Sequence, residues 1–420
     1  MRLQEKQRKL TDMKLSNKRV IFVNNYPLQG RDIKRFGFEY WSKNNYRIEV
    51  WDISKYYYKN LSSIPELENN TRQFTTLKIV KIFQLLAESR KINKYDVIII
   101  CGTTNQINSF ATLTILVLLS RTKGIFTNVL WGDHPLHNTE APRNLKGKFR
   151  TLKDTKKLNI LVLCRLANSV FWRRIRSINL SKLFILFNSP LKPFDFVWLG
   201  TLSERIPRIL LGRMTELVHI HNLDFDEIID IESLRPKMDK YIVFIDSMGP
   251  LHTDYLVEKR FPGITQIHYS LLLNKLLDRI ESDLQMKLVI AAHPRSNSEI
   301  CETLYGKRPC FFGKTPELIF NSSYVIAADG STAIGFVAYW NKPLIILNSN
   351  SFDKSTQIAN KAFRELLDPL YIDCDNSFES IKEFTANQRL YKKYVEKYIK
   401  KSGTPGTHFW EAVLDRITIL

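Results

Sequence analysis

Short apolar runs, each stopped by a polar residue, recur along this chain and constrain its fold more than any other feature. Arg19–Asn24, Arg47–Ile53, Asp96–Cys101 and Asn128–Trp131 form one series; Tyr241–Ile245, Lys287–Ala292, Tyr324–Ala328 and Pro343–Leu347 form a second. A strand with one wet face alternates apolar and polar residues. A strand apolar throughout is covered on both faces, as in a parallel sheet flanked by helices. Helical spacing predicts intervening helices over Arg31–Lys43, Leu77–Ser89, Asn105–Ser120, Ile267–Leu284, Pro316–Asn321 and Ser331–Trp340. The β-α-β rhythm argues for the α/β class.

The middle is less regular. A helix is predicted over Leu158–Ile175, and strands over Leu183–Phe187, Phe194–Leu199 and Leu217–His221. The pattern lapses at Ile231–Asp239, a charged stretch containing Pro236, where a domain boundary is placed. Amphipathic helices are expected near Ser377–Ala386, Leu390–Lys401 and Phe409–Ile419. With 420 residues the chain is too long for one ordinary domain. The expected organisation is a basic tail (1–18), a first Rossmann-like domain (19–235), and a second (236–420) that includes the closing helices.

A formal charge of +20 implies attraction for anions: phosphorylated small molecules, acidic lipid or nucleic acid. Basic residues occur in scattered clusters, and no zinc-finger, RRM or helix-turn-helix pattern accompanies them, which argues against a nucleic-acid-binding protein. Five cysteines without CxxC spacing suggest neither a disulfide framework nor a zinc site. The leading residues 1–18 are polar and basic and do not read as a secretory signal. The longest apolar stretch, Phe110–Leu119, is about ten residues, short of the ~20 a membrane span needs. A cytoplasmic protein is expected. Phe171 and Trp172, beside the basic cluster Arg173–Arg176, raise the expectation of peripheral contact with an anionic membrane.

In open parallel sheets, ligands bind just past the carboxyl ends of the strands. The residues there include Asp246, Ser247 and Gly249; His293, Pro294 and Arg295; and Asp329, Gly330, Ser331 and Thr332. Gly330 permits a tight turn, and a following helix start with a serine or threonine hydroxyl would cradle a phosphate. A plain helix cap needs the same serine and nothing more. His293 can donate a hydrogen bond to a phosphate oxygen or protonate a leaving group. Arg295 offers a forked pair of donors to the same anion. The two loops together are more specific than either alone.

The run His293-Pro294, then Ala328 to Gly335 and Trp340 to Pro343, resembles the carboxyl half of GT-B glycosyltransferases. It is most similar to bacterial sialyl-, polysialyl- and Kdo-transferases with an HP motif followed by a Ser/Thr motif, and more distantly to CDP-glycerol transferases. Residues Arg31–Phe36 and Val50–Ile53 also resemble capsule and O-antigen cluster proteins. The resemblance implies two Rossmann-like domains facing a central cleft, and a nucleotide-sugar donor held by His293, Ser331 and Thr332. It further implies a polysaccharide or lipid-linked glycan acceptor, with no metal or other cofactor. The acidic motif that supplies the family's catalytic base before the HP motif is missing. Asp133 and His134, at the end of a first-half strand with His137 close by, are the replacement candidates for inverting transfer. Other readings are a CDP-glycerol or ribitol phosphotransferase and a sugar-nucleotide 2-epimerase. Asp224-Phe225-Asp226 matches a metal-binding DxD beside His219 and His221, but DxD belongs to a different glycosyltransferase fold, and strand alternation explains the histidines equally well.

Overall fold

The computed structural model describes residues 18–57, 74–101, 115–116, 118–131, 194–201, 215–234, 240–252, 255 and 261–419. Within them lie two doubly wound parallel sheets, the two Rossmann-like units of the GT-B-like class expected from the sequence.

The first sheet contains β1 (Arg19–Asn24), β2 (Arg47–Asp52), β3 (Phe74–Lys78), β4 (Val97–Cys101), β5 (Ile125–Leu130), β6 (Phe196–Leu199) and β7 (Glu216–His219), ordered β3-β2-β1-β4-β5-β6-β7. The second contains β8 (Tyr241–Ile245), β9 (Lys287–Ala292), β10 (Cys310–Phe312), β11 (Tyr324–Ala327), β12 (Leu344–Asn348) and β13 (Leu370–Asp373), ordered β10-β9-β8-β11-β12-β13. Strand order reverses beside β1 in one sheet and beside β8 in the other. Such a switch point leaves a crevice above the strand ends. Val20 to Val23 and Val97 to Cys101 are buried throughout, which is what continuous apolar strands require.

Helices α1 (Gly30–Arg35) and α2 (Phe38–Lys43) replace the single helix predicted over Arg31–Lys43. The break falls at Gly37, whose φ is +62°; a Cβ there would lie 2.2 Å from the Trp410 ring. The helix predicted over Leu77–Ser89 is strand β3 followed by α3 (Ile82–Ser89), because Phe74 to Lys78 pairs in register with β2. Of the helix predicted over Asn105–Ser120, the described residues 115, 116 and 118–120 are helical. The elements predicted over 158–175 and 183–187 lie outside the described residues.

Helix α4 (Asp224–Glu232) lies where no element is predicted and runs into the start of the predicted break at Ile231–Asp239. In the second half come α5 (Gln266–Leu284), α6 (Ser298–Tyr305), α7 (Thr315–Asn321), α8 (Ile334–Tyr339), α9 (Lys354–Leu367), α10 (Gln388–Tyr398) and α11 (Phe409–Thr418). The helix expected near Ser377–Ala386 is irregular chain instead, tied down where Asp283 accepts from the Ile381 amide (2.9 Å).

The two halves exchange segments. Phe225 and Ile228 of α4 pack into the second half's core. In return, Phe409, Trp410, Val413, Leu414 and Ile417 of α11 are buried on the first sheet against Phe22 and Trp41. Each such side chain contributes roughly 1.5–3 kcal/mol of burial, so the first core is completed by the end of the chain. The strand predicted over Leu217–His221 stops at His219. His221 is fully buried where the chain crosses, and its ring bridges the carbonyls of Asn222 and Thr407 at 2.8 Å each. The Asn222 amide donates to Ile399 O (2.8 Å), tying the two crossings together. Among the described residues no helix is long and apolar enough to cross a membrane.

Candidate functional site

A polar hollow of about 340 Å³ opens at the switch point of the second sheet, above the ends of β8, β9 and β11. Its lining includes Asp246, Ser247, Gly249, His293, Asp329, Gly330, Ser331 and Thr332. Three separate strand ends named from sequence therefore meet around one space. Pro294 and Arg295 are exposed and do not line it. Asp133 and His134 lie outside the described residues.

Asp246 ties the site together. It is 3% exposed, and its Oδ2 accepts from the His293 amide (2.9 Å). Its Oδ1 accepts from the Met248 amide (2.6 Å) and from the Tyr305 hydroxyl of α6. A carboxylate with three internal donors has little left for a ligand, so its role is to hold loops in place. The next turn is sharp: Met248 and Gly249 have φ of +60° and +44°. A Cβ on Gly249 would meet the Tyr269 ring at 2.5 Å, so glycine is required for close packing as well as for conformation.

His293 is aimed by its own loop. The Arg295 amide donates to Nδ1 (3.2 Å), which puts the neutral ring's proton on Nε2. That leaves Nε2–H as a donor. The His252 ring packs edge-on at 5.1 Å.

The Asp329–Thr332 loop differs from the helix start expected there. Helix α8 begins at Ile334 and its cap, Ala333, offers no side-chain bond. Three amides here are consumed locally: Gly330 N donates to Asp329 Oδ1 (2.6 Å), Ser331 N to Asp329 O, and Ala333 N to Ser331 Oγ (3.2 Å). The loop also presents two hydroxyl groups to a ligand. Thr332 is exposed and Ser331 half-buried, and Ser331 Oγ still carries its own O–H donor.

Sequence reasoning missed the fourth wall. Asp353 caps α9, accepting from the Ser355 amide (2.8 Å), the Ser355 hydroxyl, Thr356 Oγ1 (2.9 Å) and the Tyr255 hydroxyl (2.5 Å). Asp353, Ser355, Thr356, Tyr255 and His252 all line the hollow. Burial alone would raise the Asp353 pKa, but these donors outweigh it and hold it below the ordinary carboxylate value. At Asp329 burial wins: its pKa is raised, with the neighbouring Asp353 charge adding to the effect and the Gly330 amide opposing it. The hollow thus sets a carboxylate whose pKa is lowered beside one whose pKa is raised. A signal for α9 was present: an Asp cap followed by buried Thr356, Ala359, Phe363 and Leu367 at helical spacing. Asn360 of that helix, also buried, donates to Ala328 O (3.2 Å) and Leu347 O (3.1 Å) and clamps the ends of β11 and β12.

Of the two DxD carboxylates, Asp226 has structural partners and Asp224 is half-buried. Asp226 Oδ1 accepts from the Phe409 amide (2.8 Å), and burial pushes the pKa of both Asp224 and Asp226 up to about 6. Among the described residues no group of three His, Cys, Asp or Glu side chains is arranged to hold a metal ion.

No family model and no curated protein sequence matches the chain. Among solved structures it is similar to CalG4, the calicheamicin glycosyltransferase, at 9% identity and TM-score 0.44, over 90% of this chain and 92% of that one. It is also similar to the spinosyn forosaminyltransferase SpnP (12%, TM-score 0.37, 96% and 95% covered). A third is a UDP-N-acetylglucosamine 2-epimerase from Rickettsia bellii (14%, TM-score 0.34, 96% of each chain). Likeness at these levels leaves the reading of function to the chemistry of the site itself.

Proposed function

We propose that the chain is a glycosyltransferase whose second half binds a nucleotide-activated sugar in the hollow at the β8–β11 switch point. The observation that carries this reading is the meeting of His293, Ser331 and Thr332 around one space. His293 Nε2–H donates to the leaving phosphate, assisted by the hydroxyls of Ser247, Ser331 and Thr332. As the acceptor oxygen bonds to the anomeric carbon, the bond from that carbon to the phosphate oxygen breaks. The acceptor's proton passes to a first-half base, for which Asp133 and His134 are the candidates, and the outcome is inversion. Oriented donors at a developing phosphate charge contribute several kcal/mol, and this set needs no metal. Pro294 shapes the His293 loop, and Arg295 meets the donor only if that loop moves.

In its finer form, the donor is a CMP-activated ulosonic acid such as sialic acid or Kdo. The acceptor is a bacterial capsule, O-antigen or other lipopolysaccharide glycan, free or lipid-linked, and the enzyme works in the cytoplasm, at the inner face of the membrane. The test is a thermal-shift panel of CMP, CDP, UDP, GDP and their sugars, on wild type and His293→Ala. Stabilisation by one nucleotide, lost in the variant, is the expected result. Indifference of wild type to every nucleotide would end the proposal.

Asp329 and Asp353 in the hollow favour a second reading, a sugar-nucleotide 2-epimerase, whose chemistry needs carboxylates to move protons. Product analysis separates the two. A transferase releases free nucleotide only when acceptor is present; an epimerase returns an isomerised sugar still joined to its nucleotide.

A further inference from the structure

A second hollow, of about 780 Å³, lies along a different face of α9 and is lined by none of the residues around the donor hollow. Lys354, Lys361 and Arg364 line it, with Ile358 from the same helix, Tyr371 from β13 and Leu390 at the start of α10. Seven residues of helix separate Lys354 from Lys361, so the two ammonium stems rise from one side of α9 about 10 Å apart. Arg364 lies one turn further on. None of the three enters an ion pair among the described residues; Arg364 stacks on the Tyr371 ring at 4.6 Å. Ile358 is 42% exposed here, an apolar side chain that no core claims. Exposed Arg389, Lys392 and Lys393 adjoin Leu390 in sequence. Glu365 and Asp368 close the far end, where Asp368 accepts from Asn387 Nδ2 (3.1 Å).

We propose that this groove binds a linear glycan carrying carboxylates, at a site separate from the donor hollow. The groove pairs unneutralised cations at helical intervals with a floor of aliphatic groups and one aromatic ring. A sugar chain has the matching surface: C–H faces that rest on Ile358, Leu390 and Tyr371, and charged edges that reach the cations. Arg364, with its planar fork, suits a carboxylate, while the two lysines act as point charges along the chain. Its concavity argues against a bilayer, which would need apolar side chains projecting outward beside the basic ones. Single-stranded nucleic acid would need successive aromatic platforms, and Tyr371 is the one ring lining the groove. Lys354 directly follows Asp353, so the groove starts at the same helix end that walls the donor hollow. The proposal holds whether or not the second half transfers sugars.

The test uses the full chain and fluorescence polarisation with labelled oligogalacturonate, alongside an uncharged dextran oligomer, single-stranded DNA and phosphatidylserine vesicles. The double variant Lys361→Glu/Arg364→Glu should weaken oligogalacturonate binding at least tenfold and flatten its salt dependence, without altering nucleotide-induced thermal shifts. Lys361→Gln/Arg364→Gln, which removes charge without reversing it, should give a smaller loss and covers the case of a misfolded double reversal. No binding by wild type, equal binding by wild type and both variants, or equal affinity for dextran would overturn the proposal. So would tighter binding to vesicles or DNA that the same substitutions abolish.

Discussion

The two sheets share a strand order and a continuous apolar filling, yet their carboxyl edges are built differently. At the second edge polar groups are wired to one another: Asp246 to three donors, Asp353 to four, and Asn360 to the ends of two strands. At the first edge, Asn24 ends β1 fully buried, and among the described residues neither of its side-chain atoms finds a hydrogen-bond partner; Asn128, inside β5, is in the same state. Asp52, ending β2, accepts from the Ser54 amide (2.8 Å). Wiring fixes a site before its ligand arrives. An unpartnered buried amide costs stability and calls for an explanation. The same architecture therefore carries one edge that is preorganised and one that holds unspent hydrogen-bonding capacity.

The largest expected effect falls on activity at the second edge. His293→Ala should lower turnover by roughly 100-fold or more, while its melting temperature stays near that of wild type, because His293 is half-buried and outside the core clusters. Assay of nucleotide release with matched unfolding curves checks this; full turnover in the variant would remove His293 from the mechanism. Next comes a direct test of the wiring. Asp246→Ala strands three donors, two of them backbone amides, and should cost about 3 kcal/mol. Asp52→Ala, at the end of β2 on the first edge, should cost about 1 kcal/mol, since one amide loses its acceptor. Urea midpoints measure both. Equal losses would mean that the two edges are not built differently after all.

What could be read from sequence, and what could not, divides along physical lines. The inner strands of both sheets were legible because a strand buried on two faces leaves an unmistakable apolar run, and the polar residues at its end are located by the same run; the edge strands β10 and β13, short and only partly buried, were not predicted. Helix α9 and the Asp353 wall were missed because the loop after Asn348 carries ordinary turn residues, and the cap at Asp353 gains its importance only from what β8 and β11 place opposite. The Ser331 region reads as a capped helix; the Asp329 carboxylate and local turns take those amides first. Leu77 and Lys78 share helical spacing with the residues of α3 but belong to an edge strand, where pairing with β2 overrides periodicity. The exchange of α4 and α11 between halves has no local signature, since each helix is simply amphipathic and the sequence does not say which sheet it covers.

The crossing gives a third, smaller test, which acts on one half more than the other. Burial pushes the Asp226 pKa up to about 6, against the opposing Phe409 amide and His408 charge. With the folded-state value raised, its contribution to stability is full below the ordinary carboxylate pKa and is lost as pH rises through about 6. A displacement of that size is worth at most about 3 kcal/mol. Asp230 runs the other way: burial raises its pKa, but bonds from His408 (2.9 Å) and Lys34 outweigh it, so its contribution fades as pH falls. Asp226→Asn keeps an acceptor for Phe409 and should gain on wild type more at pH 8 than at pH 4. Tryptophan fluorescence is the right probe, because Trp41, Trp51, Trp198 and Trp410 all lie in the first core, which α11 completes. A stability difference between variant and wild type that is the same at both pH values would exclude the carboxyl group as the source.

The smallest effect concerns Asn24, and its sign matters more than its size. Valine at this position suits a strand and removes an amide with no partner among the described residues, at a point where β1 is in register with Asp52 and Cys101. If the Asn24 amide contributes nothing to the fold, Asn24→Val should be neutral or stabilising, by up to about 1 kcal/mol. If the amide instead meets the proposed acceptor, the same variant should bind acceptor more weakly while nucleotide still stabilises the second half as in wild type. Loss of stability together with unchanged acceptor kinetics would show the reverse: that the Asn24 amide contributes to the folded first half, and that the two edges differ less than their hydrogen bonds suggest.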